Sequence, residues 1–256
     1  MEKPWLVISD AHLGAVPSQT ERELRRFIST VPERAGGLLL AGDLFDFWFE
    51  YRSVIPRQYY RVVAALAEVT ERGVPILFVG GNHDAWAGSF LRDEVGLELI
   101  AGPTVLELAG RRTLVVHGDG VGGGDLGYRL LKSVIRSRWA EWGFRQLHPD
   151  WGWRIARAVS STEGREENPA GLAQRGDRLE GWAAEQLRAD PALELVIAGH
   201  AHTPLVRELF PGRFYANAGD WIHHFSYLVI PAGREAPPVL KYWNAHSSSA
   251  TDLTRA

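Results

Sequence analysis

The chain has 256 residues, 45% of them hydrophobic and 23% charged, with a formal net charge of −3 and no cysteine. That composition suits a soluble globular fold with a sizeable core, and the charge argues against a general nucleic-acid binder. Without cysteine there are no disulfides, no thiolate nucleophile and no thiolate-held zinc, so a metal must be held by nitrogen and oxygen.

In chain order, WLVIS reads as a strand, TERELRRFIST as a helix, GLLLAG as a strand, RQYYRVVAALAEVTERG as a helix stopped by Gly73, and PILFVG as a strand. The alternation predicts right-handed βαβ units in a largely parallel sheet, and the near-continuous apolar strands predict that both faces are covered. A short helix is expected around SFLRDEVG, and TVLELAGRRTLVVHGDG reads as two strands of a hairpin turning at Ala109 to Arg112. From Asp125 to about Leu187 the pattern is helical, broken at SSTEGREENPAG. Strands resume in LELVIAGHAH, PLVRELF, RFYANAG, SYLVIP and PPVLKYWN.

One domain over 1–246 is expected, with a helical insertion at about 125–190 and a flexible tail at 247–256. MEKPWLVISD enters a strand without a signal-peptide core, and no apolar run approaches the roughly 18 residues of a membrane span. The expected location is the cytoplasm, or the periphery of the inner face of the cytoplasmic membrane.

Five short polar motifs each follow an apolar run: Asp10 and His12 in SDAHLG, Asp43 and Asp46 in AGDLFD, Asn82 to Asp84 in GGNHD, His117 and Asp119 in VHGDG, and His200 and His202 in AGHAH. The C-terminal edge of an α/β sheet is where loops converge on a ligand, so the five motifs should meet. Singly, Asp10 to His12 reads as a helix cap and Asp43 as a turn; two imidazoles one residue apart behind LELVIA ask for a metal. Carboxylates, an amide oxygen and imidazoles suit Mn²⁺, Fe²⁺ or Zn²⁺ better than Ca²⁺ or Mg²⁺. Seven ligands exceed the needs of one tetrahedral ion. Two ions about 3.5 to 4 Å apart would use them and clamp the attacking and leaving oxygens of a displacement at phosphorus.

In this order, DxH, GDxxD, GNHD, HGD and GHxH resemble the calcineurin-like metallophosphoesterase family, from Asp10 to His202. The resemblance implies a four-layer α/β/β/α sandwich of two mixed sheets. It implies two divalent metal ions, Mn²⁺ in the first place with Fe²⁺ or Zn²⁺ as alternatives. Asp10, His12 and His202 would hold one ion, Asn82, His117 and His200 the other, and Asp43 would bridge. His83 would donate the leaving-group proton and Asp84 would orient it, while Asp46 and Asp119 would support ligands.

GDLFDFWFEY, HGDGVGGGDLGY and the helical insertion resemble more narrowly the bacterial UDP-2,3-diacylglucosamine pyrophosphohydrolases of lipid A synthesis. That resemblance implies a lid over a slot for acyl chains, products UMP and 2,3-diacylglucosamine 1-phosphate, and substrate contacts at Asp125, Tyr128 and Ser161. His83 stands where the best-known branch has Arg, and that branch's lid Lys has no counterpart in SSTEGREENPAG.

Within the insertion, Leu131, Ile135, Trp139 and Trp142 recur at helical spacing. Between Tyr128 and Ser160 seven Arg or Lys face Glu141 and Asp150 alone. This suits a phosphate-bearing amphiphile or an anionic membrane surface, and equally a helical subdomain with a Trp core and solvated arginines. Three functions remain open: a diphosphatase of a UDP-linked acylated sugar, a phosphodiesterase or nucleotidase on a soluble substrate, and a non-catalytic module. A nucleotide-linked or lipid phosphate is the implied partner, with no nucleic acid and no protein partner. An open apolar slot in the insertion would favour the lipid, a collapsed Trp core the soluble substrate.

Overall fold

The computed structural model describes residues 3–121, 137–155 and 169–244. The first sheet holds β1 (Trp5–Ile8), β2 (Gly37–Leu40), β3 (Ile76–Val79) and β4 (Glu98–Ile100) in parallel, and continues antiparallel through β10 (Ser226–Ile230) and β11 (Val239–Tyr242). The second runs β5 (Thr104–Leu108), β6 (Arg111–Val115), β7 (Leu195–Ala198), β9 (Arg213–Asn217) and β8 (Leu205–Phe210). Its three central strands are parallel and its outer pairs antiparallel.

Side-chain alternation along these strands builds the layers. Leu6, Ile8, Leu38, Leu40, Ile76 and Phe78 point outward from the first sheet, against α1 (Ser18–Arg34) and α2 (Tyr60–Glu71), whose Leu24, Phe27, Ile28, Val62 and Leu66 are buried at helical spacing. Val7, Leu39, Leu77 and Val79 point inward and meet Leu108, Val115, Leu195 and Ile197 of the second sheet. On the far face Leu114, Val116 and Val196 pack against α4 (Pro169–Ala189) through Leu179, Ala183 and Leu187. Helix, sheet, sheet and helix form the expected two-sheet sandwich.

The local readings held with informative differences. The hairpin turns on Ala109 and Gly110, at φ 52° and 80°, a two-residue loop whose positive φ values match strand twist. The turn at Phe90–Glu94 is a single π-helical turn, tethered by Glu50 accepting from Gly88 N and Phe90 N at 2.9 Å each. The edge strand β4 was not foreseen, because three residues are too few to display a period.

In the insertion, α3 (Arg138–Arg145) begins at Ser137, whose Oγ accepts from Ala140 N at 3.2 Å, and residues 149–155 are helical. Phe144 lies 4.9 Å from Trp86 and 5.1 Å from Phe49 between ring centroids, and Arg145 Nε donates to the Glu50 carbonyl at 2.8 Å. Trp153 packs edge-on to Tyr59. Trp139 and Trp142 are 82% and 62% exposed, so they do not form the core of a helical subdomain. Leu131 and Ile135, the expected substrate contacts Asp125, Tyr128 and Ser161, and the 247–256 tail lie outside the described residues.

Candidate metal centre

The five motifs occupy loops at the C-terminal ends of β1, β2, β3, β6 and β7. Beyond the strands, the first two loops keep pairing: Asp10 N donates to the Gly42 carbonyl at 3.0 Å, and Ala11 N and His12 N donate to the Asp43 carbonyl at 2.9 and 3.0 Å. Their backbone is left-handed, with Asp10, His12, Asp43, His200 and His202 at φ 52°, 42°, 51°, 62° and 53°. Only Ala109 and Phe225 share that region among the described non-glycine residues. Such backbone is disfavoured for L side chains and persists where surrounding bonds over-determine it, as at binding sites. Close approach demands glycine as well. A Cβ on Gly81 would overlap Asp43 Oδ1, and one on Gly42, itself at φ 95°, would overlap the His117 ring.

Three groups of side chains bring their ligand atoms within 4.8 Å of one another: Asp10, His12 and His202; His12, Asp43 and His83; and Asp43, His117 and His200. His202 Nε2 lies 3.3 Å from Asp10 Oδ1, His12 Nε2 lies 3.9 Å from Asp43 Oδ2, and His117 Nε2 lies 3.0 Å from the same oxygen. Asp43 therefore stands between two ligand sets, as a bridging carboxylate must. His12 Nε2 is buried and makes no hydrogen bond, although the Asp10 and Asp43 carboxylates stand 4.0 and 3.9 Å away, and buried His117 Nε2 has Asp43 Oδ2 as its close neighbour. Buried imidazole nitrogens beside ionised oxygens fit divalent cations of borderline softness. Asn82 is half-buried on the loop between Gly81 and His83.

The electrostatics favour the ligating protonation states. Burial pushes the Asp10 carboxyl up, but the His202 imidazole outweighs it and brings the group to about 2. Burial also pushes Asp43 up, and the imidazoles of His117, His12 and His83 hold it well below the usual range. Desolvation lowers His12, and with the His117 charge it lowers His200 to about 3, so both present neutral rings. His117 goes the other way: burial lowers it, yet Asp43 beside Nε2 raises it well above the ordinary value. In the metal-free chain that proton occupies the position a cation would take.

A metal bound through His117 Nε2 would displace that proton. Because the group is raised, it is protonated below its shifted pKa, and affinity climbs with pH until that value is passed. Calorimetric Mn²⁺ titration in two buffers of different ionisation enthalpy should read release of roughly one proton and affinity rising between about pH 6 and 8. Affinity flat across that interval would contradict this.

His83 donates its backbone N–H to Asp43 Oδ1 at 3.0 Å, its Nδ1 lies 2.6 Å from the Asp46 carbonyl, and its ring meets that of His12 edge-on at 4.7 Å. The support expected from Asp84 thus comes from the Asp46 main chain. Asp84 is fully buried and accepts from Gly81 N at 2.7 Å, Leu44 N at 2.8 Å and Asp43 N at 3.3 Å, tying two site loops together. Burial and the neighbouring Asp43 charge push its carboxyl up to about 7, against the N–H groups that favour its ionised form. Asp119 is buried beside His117 and helps raise it.

A sixth loop, after β9, belongs to the site and escaped the sequence reading. Asn217 Nδ2 donates to the Gly199 carbonyl at 2.8 Å, Ser9 Oγ donates to the Gly219 carbonyl at 3.0 Å, and Trp221 N donates to the Asp10 carbonyl at 3.1 Å. The signal was present: NAGD follows the apolar run FYA just as the five recognised motifs follow theirs.

Candidate metal ligands gathered at the ends of strands from two sheets fit a metallophosphoesterase, and the calcineurin-like phosphoesterase family model matches residues 3–204, so the chain belongs to that family. It is a metal-dependent phosphoesterase hydrolase. It is 30% identical over 239 residues to a protein of Porphyromonas gingivalis named UDP-2,3-diacylglucosamine hydrolase, covering 86% of this chain and 91% of that one. It is also 30% identical over 234 residues to the protein of that name from Aeromonas salmonicida, covering 90% and 91%. A dimetal phosphatase from Danio rerio aligns in structure over 94% of this chain and 99% of its own, with a TM-score of 0.46 and 13% identity.

Proposed function

We propose that the chain cleaves the diphosphate of UDP-2,3-diacylglucosamine, releasing UMP and 2,3-diacylglucosamine 1-phosphate, with Mn²⁺ as its metal. The Asp43-centred pair of ligand sets carries the reaction class. Relatives of that name at 30% identity and the exposed Trp139 and Trp142 support the substrate, since an uncollapsed apolar face on a basic insertion suits an acylated phosphate. The same face would rest on an anionic membrane at the cytoplasmic side. No helix among the described residues is long and apolar enough to cross one.

Asp10, His12 and His202 would hold one divalent ion and Asn82, His117 and His200 another, with Asp43 shared, and the bound ions would supply Lewis-acid stabilisation of phosphoryl oxygens and a nucleophile at neutral pH. The protein's own share lies in positioning and in one proton. His83 Nδ1, donating to the Asp46 carbonyl, fixes the ring and leaves Nε2 to face the leaving oxygen of a bound substrate. From its protonated form His83 hands over that proton as the ester or anhydride bond breaks.

The assay is UMP release from UDP-2,3-diacylglucosamine presented in anionic vesicles. His83→Ala should keep its metals and lose roughly a hundredfold or more in kcat, and Trp139→Ser with Trp142→Ser should raise KM. Absence of UMP, with hydrolysis of bis(p-nitrophenyl) phosphate intact, would reject the lipid substrate and favour a soluble diester or nucleotide.

A further inference from the structure

The insertion docks on the body of the protein beside the loops that carry His83 and its anchor. Phe144, on the last turn of α3, is half-buried in a ring of aromatic side chains. Its centroid lies 4.9 Å from Trp86, 5.1 Å from Phe49 and 5.9 Å from Phe47, and Phe47 and Trp86 meet edge-on at 5.7 Å, all within the range of about 4.5–7 Å at which aromatic pairs attract. Two further contacts keep Phe144 in place. Arg145 Nε donates to the Glu50 carbonyl at 2.8 Å. Gly152 is buried where a Cβ would overlap the Tyr51 hydroxyl and crowd the Phe144 ring, so only glycine lets the 149–155 segment close on that ring.

Phe47 adjoins the anchor of His83. The Asp46 carbonyl, 2.6 Å from His83 Nδ1, belongs to the same planar peptide unit as Phe47 N, so a rotation of that unit moves the oxygen that orients the imidazole. Trp86 follows His83 by three residues, and Trp48 N donates to the His83 carbonyl at 3.0 Å, which joins the two loops beneath the aromatic ring. Asp84 braces the ligand-bearing starts of both loops through Gly81 N and Leu44 N, whereas the aromatic ring clasps their far ends. We propose that Phe144 is a positioning residue for His83: by clamping Phe47 against Trp86 it holds the Asp46 carbonyl where it orients the imidazole. This rests on the reading of His83 as the proton donor. A misplacement of about 1 Å can cost a reacting group roughly a hundredfold in rate, while metal binding, set by the ligand-bearing ends, should stand. The insertion then serves the chemical step on any phosphoester, acylated or not.

The test compares Mn²⁺-loaded wild type, Phe144→Ala, Phe144→Tyr, His83→Ala and the double variant His83→Ala/Phe144→Ala, with metal content and thermal denaturation measured on each. One substrate is bis(p-nitrophenyl) phosphate, whose p-nitrophenolate leaves with little help from an acid; the other is diphenyl phosphate, whose phenolate needs the proton. Phe144→Ala should keep its metals and lose roughly thirtyfold in kcat on diphenyl phosphate but only about threefold on the nitrophenyl ester, with KM nearly unchanged. Phe144→Tyr keeps the ring and should recover most of the rate. If alanine unfolds the insertion, Phe144→Leu gives the same comparison. Once His83 is replaced, Phe144→Ala should cost little more, because the two act as one unit. Equal losses on both substrates, a change confined to KM, or losses that multiply in the double variant would overturn the inference. So would a Phe144→Tyr chain no faster than Phe144→Ala. If His83→Ala treats the two substrates as wild type does, the proton-donor reading falls and this inference with it; a selective His83→Ala loss beside an unaffected Phe144→Ala chain removes this inference alone.

Discussion

Asp43→Ala is expected to remove nearly all activity, with kcat/KM falling by roughly a thousandfold or more, about 4 kcal/mol of transition-state stabilisation. Three imidazoles converge on this one carboxylate and hold it ionised. Its Oδ2 lies between His12 Nε2 and His117 Nε2, at 3.9 and 3.0 Å. Without it the ligand sets lose the group that joins them, and two cations so close would repel without a shared anion. Each metal should bind more weakly, and the two losses should be coupled. The metal-free fold should suffer little by comparison. His117 can give up its proton when its partner is gone, and the bond from His83 N to Oδ1 is a single hydrogen bond, worth about 1 kcal/mol. Metal analysis beside thermal denaturation separates these effects. An Asp43→Ala chain that keeps both ions and full turnover would end the dinuclear reading.

What could be read from the sequence was whatever repeats or is spelled in one place. The strands GLLL, ILFV and LVIA are buried along their whole length and WLVI at all but Trp5, and an apolar run bounded by glycine or proline carries that information locally. Each metal motif is a contiguous word after such a run, so Asp10, His12, Asp43, His117, His200 and His202 were legible together, as was their convergence at one sheet edge. Partnerships across the fold were not. Asn217 reaches Gly199 and Ser9 reaches Gly219 across 18 and 210 positions, and no local pattern announces such pairs. The left-handed backbone of five candidate ligands is equally hidden, because only glycine advertises positive φ in sequence. In the insertion, aromatic residues at helical spacing could not say which would dock: Phe144 and Trp153 face the body while Trp139 and Trp142 face outward.

Asp84 tests the difference between a catalytic and a structural carboxylate. It follows His83 directly, and adjacency suggested a partnership; the structure commits its oxygens to backbone N–H groups of Gly81, Leu44 and Asp43 instead. Those groups lie on the two loops that present Asn82, His83 and Asp43, and Gly81 leaves no room for the loops to shift together. Asp84→Ala would leave buried donors without acceptors, at about 1–3 kcal/mol for each well-formed bond, so the fold should lose about 3 kcal/mol or more. Activity should fall because the loops loosen and metal affinity drops. Raising Mn²⁺ should therefore recover most of the rate, to within roughly tenfold of wild type, since outer supports typically cost 10–100-fold in affinity or activity. His83→Ala should show the opposite pattern, with near-normal stability and a rate that added metal does not restore. If Asp84→Ala unfolds at the wild-type temperature and stays inactive at saturating Mn²⁺, Asp84 acts in the chemistry and the bracing role is wrong.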